Sequence, residues 1–208
     1  MIAALYVQAN GCYANLPGVD AWPESRDARL YAGPHPVVAH PPCERWGRYW
    51  SGGPSAKVRR VKGDDGGCFA AALASVRTWG GVLEHPEASA AWRTFQLIAP
   101  LRGGGWSVTD DRGGWTCCVE QGAYGHKARK ATWLYAFGVE LPVLRWRARG
   151  NFTRLDEGFH SAAERAAAGG AVRAKGRRLT TDENLSTPPT FRDVLIAMAE
   201  SVNARRAA

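Results

Sequence analysis

The sequence predicts an α/β fold, a mostly parallel sheet with flanking helices. Short strand-like runs alternate along the chain with segments of helical period, neither internal repeats nor long low-complexity tracts interrupt them, and the 208 residues are 45% hydrophobic and 22% charged. That length and composition suffice to bury one core, so a single domain over 1–208 is expected. Ile2 to Val7 reads as the first strand. Pro36 to His40 reads as a short buried strand that stops against Pro41 and Pro42. Asp64 is placed to cap a helix in which Phe69, Leu73, Val76 and Trp79 recur at helical spacing before the Gly80-Gly81 pair. Gly81 to Glu84 returns as a strand, and Pro86 to Phe95 suits a short helix with proline in its first turn. Trp115 to Glu120 and Ala131 to Phe137 follow as strands. From Arg145 to Arg178 the chain is basic, rich in Ala and Gly, and the least core-like part of the sequence. A last helix spans Thr190 to Asn203, with Phe191, Val194, Leu195 and Met198 on one face.

Composition narrows the partners. No apolar run reaches about 18 residues and the N-terminus lacks the basic start of a signal peptide, so neither membrane insertion nor secretion is expected. Five cysteines, an odd number that includes the adjacent Cys117 and Cys118, do not make a disulfide framework; a reducing cytoplasm is the expected compartment. The formal net charge is +8, and residues 121–178 alone hold 12 Lys/Arg against 4 Asp/Glu, which accounts for all of the excess. A localised basic excess is the footprint of a polyanion, because each neutralised phosphate releases counterions. Tyr124, Trp133, Tyr135 and Trp146, interleaved with these charges, offer stacking faces for a nucleic acid. The alternative is a solvated surface that serves solubility.

Ligands of such sheets sit beyond the carboxyl ends of the strands. Two predicted strand ends carry ionisable residues there: VVAH runs into PPCERWG, and GVLE runs into HPEASAAW. Cys43 follows two rigid prolines and is flanked by Glu44 and Arg45; a cation beside a thiol lowers its pKa and makes it a nucleophile, whereas a buried cysteine is inert. Glu84, protonated or hydrogen-bonded, suits the edge of a heterocyclic base; its plain alternative is a loop residue. His40 with Cys43, and His85 with Glu84, lack the CxxC or HxxxH spacing of a zinc site, so no metal is expected. The HxE and PCxxC pair of zinc deaminases is absent, and the Gly-rich LRGGGW and DRGGW lack the Lys-Ser/Thr ending of a P-loop. His126 and His160 read as surface histidines.

PPC at 41–43, LEHP at 83–86 and EQGAYGHKARKATWLY at 120–135 resemble, in order and rough spacing, three motifs of the DNA cytosine-C5 methyltransferases, and are most similar to short phage-type members. The segment from Arg177 to Ser201 resembles that family's closing turn and helix. The resemblance implies an abbreviated Rossmann-like methyltransferase fold, with Cys43 adding to C6 of cytosine and Glu84 holding the ring edge. It also implies that Tyr124, Gly125, Arg129, Lys130 and Thr132 belong to the third motif; with Arg45, His85, His126 and Lys127 these are the expected DNA and substrate contacts, and the charge count adds Arg145, Arg147 and Arg149 of a basic insert within about 141–178. S-adenosylmethionine is the implied cofactor, DNA the partner, and a phage or prophage protein acting in a bacterial cytoplasm the implied setting. Two departures stand out: His85 replaces the family's Asn, and the first strand runs into QANGCYANLPG where the family has a Gly-rich turn.

Three classes stay open on the sequence. They are a DNA pyrimidine-modifying enzyme, a catalytically silent relative that binds DNA or protein, and an enzyme of free pyrimidine nucleotides.

Overall fold

A computed structural model describes residues 1–47, 49–52, 57–155, 162–169 and 179–207. His160, Arg177 and much of the expected basic insert lie outside the described residues.

Among the described residues seven strands form one sheet: β1 (Ile2–Leu5), β2 (Val19–Trp22), β3 (Val37–Ala39), β4 (Gly81–Pro86), β5 (Ser107–Val108), β6 (Trp115–Glu120) and β7 (Ala131–Phe137). Their order across the sheet is β2-β1-β3-β4-β7-β6-β5. The first four are mutually parallel, and β7, β6 and β5 add on antiparallel. The fold is thus α/β, but the sheet is mixed where a mostly parallel one was expected. The physical reason lies between β6 and β7: residues 121–130, including a 3-10 turn at Gln121–Tyr124, are too few for a crossover helix, so β7 must return antiparallel.

Helices cover both faces. Against one lie α1 (Cys68–Trp79) and α2 (Ala90–Thr94), where Phe69, Leu73, Val76 and Trp92 pack on Leu5, Val37, Leu83 and Tyr135. Against the other lies α5 (Pro189–Ala207), whose Phe191, Leu195 and Met198 pack on Ile2, Val38, Val82 and Leu134. Val82 and Leu83 serve opposite cores because successive strand residues point to opposite faces. Two short helices, α3 (Ala162–Ala167) and α4 (Thr181–Leu185), precede α5, and Thr180 closes α4 with a reciprocal capping box.

Several boundaries differ from the sequence reading. Helix α1 begins four residues after Asp64; Asp65 instead supplies the carboxylate, accepting from the backbone N–H of Gly67 at 2.9 Å and of Phe69 at 2.8 Å. Pro86 ends β4 and does not open a helix; the helix starts at Ala90, capped by the Ser89 hydroxyl. Strands β2 and β5 are edge strands of four and two residues, too short to leave a period in the sequence.

Candidate functional site

The site lies beyond the carboxyl ends of β3 and β4. Ala39 sits beside Leu83 in the parallel register, which places His40 level with Glu84, and Cys43 follows the two prolines, near enough for the Glu84 charge to act on its thiol. Glu84 shares the face of Val82, the α5 side. Its carboxylate is held from both sides. Glu84 Oε2 is 3.1 Å from His40 Nδ1, and Oε1 accepts from Gln121 Nε2 at 3.1 Å. The network continues outward in both directions: His40 Nε2 meets the Tyr13 hydroxyl at 2.9 Å, and Gln121 Nε2 also reaches Thr132 Oγ1 at 2.9 Å. Gln121 is fully buried, and its Oε1 has no hydrogen-bond partner among the described residues.

The electrostatics follow from this packing. Burial alone would push the Glu84 carboxyl up, but the His40 hydrogen bond and charge, helped by Lys130 and His85, outweigh it and bring the group down to about 2. Glu84 is therefore the ionised, hydrogen-bonded form. The Cys43 thiol moves the other way: burial raises it, the Glu84 charge raises it further, and Lys130 opposes. The sequence suggested that Arg45 would activate this cysteine. Arg45 is instead paired with Glu44 at 3.1 Å, and Lys130 is the cation whose charge acts on the thiol. Burial lowers the Lys130 ammonium, while the charges of Glu84, Cys43 and Cys12 support it. Lys130 reaches this position from a left-handed backbone (φ 42) and donates to the Ser186 carbonyl at 2.9 Å.

Other expected contacts are placed differently. His85 points to the opposite sheet face, fully buried between Phe69 and Trp92, with its Nδ1 2.7 Å from the Ser89 hydroxyl. Burial lowers it to about 4, so it is a neutral core residue with no surface to offer a base. His126, expected at the surface, is only 5% exposed. It accepts from the Ala128 N–H through Nδ1 and its Nε2 faces the Glu183 carbonyl at 3.1 Å, tying the β6–β7 connection to α4. Lys127 pairs with Glu183 across the same junction. Tyr124 is buried against Phe191, and Thr132 is buried under Gln121. Arg129 is exposed, with its guanidinium 5.9 Å from the Phe152 ring.

Arg145, Arg147 and Arg149 form an exposed row. They alternate with buried Leu144, half-buried Trp146 and buried Ala148, and the Arg147 guanidinium donates to the Arg102 carbonyl at 3.1 Å. The segment is pinned beside the end of β6: the Arg145 N–H donates to the Tyr124 hydroxyl at 2.9 Å, and the Ala148 N–H donates to Glu120 Oε2 at 2.8 Å. Arg145 also lies over the Tyr124 ring at 4.4 Å.

The turn after β1 was the implied cradle for S-adenosylmethionine. Of its two glycines, Gly18 (φ +77, with open space beside it) sits at the amino end of β2, away from the carboxyl ends of the strands, and Gly11 is packed by its own turn: a Cβ there would lie 3.0 Å from Gln8 Cβ and 3.2 Å from the Gln8 carbonyl oxygen. Tyr13, 3% exposed, closes the turn from inside. These residues do not fit a Gly-lined hollow for that cofactor. Among the described residues no group of three His, Cys, Asp or Glu side chains gathers as a metal site. Among them, too, no helix is long and apolar enough to cross a membrane.

His40, Tyr13 and Gln121 are the site residues that sequence reasoning left unassigned. His40 carried a usable signal, since the residue after a buried strand faces its parallel neighbour's end; Tyr13 carried none, because a loop of unspecified course delivers it. Scans of family models, curated proteins and solved structures find no match to this chain.

Proposed function

We propose that this chain is a DNA-binding enzyme acting on a pyrimidine base, of the cytosine-C5 methyltransferase type, with Cys43 as nucleophile. The observation that carries the reading is the convergence of Cys43, Glu84 and Lys130 beyond two neighbouring parallel strands, in the order that the resemblance assigns to them. In this reading the base is flipped from the stack so that C6 meets Cys43 Sγ. The thiol proton passes to the Glu84 carboxylate, the Sγ–C6 bond forms, and the displaced electron pair is carried toward the ring edge, where protonated Glu84 donates to N3. Lys130 offsets the negative charge that develops beside it. Carbon 5 is now an enamine carbon. The simplest electrophile it can take is a solvent proton; loss of the original C5 hydrogen and departure of Sγ then restore the aromatic ring. The row Arg145, Arg147 and Arg149 supplies phosphate contacts.

The test is exchange of the cytosine C5 hydrogen in DNA for deuterium, followed by mass spectrometry. Wild type is expected to exchange it and Cys43→Ser is not, while both bind DNA alike. A second reading, a silent DNA-binding relative, is favoured by the turn after β1 that does not fit the methyl donor. Absence of exchange by wild type at saturating DNA would establish that second reading over the first.

A further inference from the structure

We propose that His40, braced by Tyr13, is the positioning residue of this site: it fixes the Glu84 carboxylate in the orientation from which that carboxylate takes the proton leaving Cys43. The proton step at Glu84 rests on the enzymatic reading above; the positioning role does not.

Three features carry the inference. Both ring nitrogens of His40 are engaged, Nδ1 with Glu84 Oε2 at 3.1 Å and Nε2 with the Tyr13 hydroxyl at 2.9 Å. A phenol both donates and accepts, so the imidazole can gain or lose a proton at Nε2 without losing either contact. The ring is also held in place: its backbone N–H donates to the Leu5 carbonyl at 3.0 Å, Pro41 follows, and the Tyr13 ring packs on it with centroids 5.3 Å apart. A side chain fixed at both ends loses little freedom when it acts, which is the condition for positioning a neighbour.

Glu84 faces His40 from β4, with Lys130 and neutral Gln121 reaching Glu84 from the β6–β7 connection. Tyr13 faces it from the β1–β2 loop, and Cys12, Arg192 and Asp193 act on Tyr13 from behind. Cys43 lies three residues on in the chain. When Sγ bonds to C6, the thiol proton passes to Glu84 Oε1, and it returns to sulfur when the bond breaks; no electrons leave the site. Oε2 goes on accepting from His40 Nδ1 throughout, so the contact keeps the carboxyl group in register while its other oxygen takes and returns the proton.

The experiment follows the Glu84 carboxyl carbon by NMR across pH, beside the C5 deuterium exchange assay. In wild type Glu84 stays ionised well below the ordinary carboxylate range. In His40→Phe its midpoint rises by about one to three pH units, the usual size of a lost opposite charge and hydrogen bond. Tyr13→Phe gives a smaller rise in the same direction. In His40→Gln an amide N–H still donates to Glu84, so the midpoint rises less than in His40→Phe and exchange is the better retained of the two. Where His40→Phe fails to fold, Tyr13→Phe and His40→Gln carry the test. An unchanged Glu84 midpoint in the folded variants overturns the positioning role. A shifted midpoint in a protein that never exchanges C5 hydrogen would sink the enzymatic reading and leave the positioning role standing.

Discussion

Replacing Glu84 by Gln should remove a pH-dependent block of stability. The carboxyl ordinarily titrates at 4.5 and is held at about 2 in the folded chain. A depressed folded pKa means that the stabilisation is present above the unfolded value and is lost as pH falls toward the folded one. The shift converts to about 3 kcal/mol at pH 7, of which about 2 kcal/mol is gone by pH 3. Solvent screening removes little of this, because the Glu84 and His40 side chains are each only 13% exposed. The assay is urea unfolding of wild type and Glu84→Gln at pH 7 and pH 3. Asp20, Asp27 and Asp110 are also lowered, but they titrate in both proteins and cancel in the difference. The gap between the two proteins should shrink by about 2 kcal/mol on going to pH 3. A gap that stays constant, or widens, would refute the claim that the His40 contact keeps this carboxyl ionised.

Gly81→Ala should prevent normal folding, since a Cβ there would lie 1.9 Å from the Val37 carbonyl oxygen and the backbone φ is +134°; thermal unfolding should show a cost of more than about 3 kcal/mol, or no cooperative transition. Changing Arg145, Arg147 and Arg149 together to Ala should leave the melting temperature within a few degrees, because all three are exposed, while flattening the salt dependence of DNA binding by up to about 3 units of log–log slope. An unchanged slope would mark the row as solvated surface. Lys130→Met should slow alkylation of Cys43 severalfold at pH 8, because the cation that favours the thiolate is gone; peptide mapping after iodoacetamide treatment separates this thiol from Cys12 and Cys68. A faster reaction would show that Lys130 acts there chiefly by covering the sulfur.

Much of the element list was legible in local sequence. Strands β6 and β7 span the residues expected of them, Trp115–Glu120 and Ala131–Phe137, because aromatic and apolar runs end there in turn residues. The Phe69, Leu73, Val76 spacing named the buried stripe of α1, and Phe191, Leu195, Met198 that of α5. The two strand ends carrying Cys43 and Glu84 were also visible, since a charged or nucleophilic side chain after a buried run is conspicuous against its neighbours.

What the sequence determined, then, is periodicity, local punctuation and the position of unusual side chains, because these depend on residues within a turn or two of one another. Which residues face each other was decided only by tertiary structure. His85 and Glu84 are adjacent in sequence, yet strand alternation sends one into a core of Phe69 and Trp92 and the other to His40 and Gln121. Whether His126 lay at the surface depended on α4, more than fifty residues away, closing over it. The ionisation of Cys43 and Glu84 was equally illegible. Local sequence showed Arg45 as the nearby cation, but desolvation and charge sum over every neighbour in space, and the fold brought Lys130 and His40 to the site while Arg45 turned to Glu44.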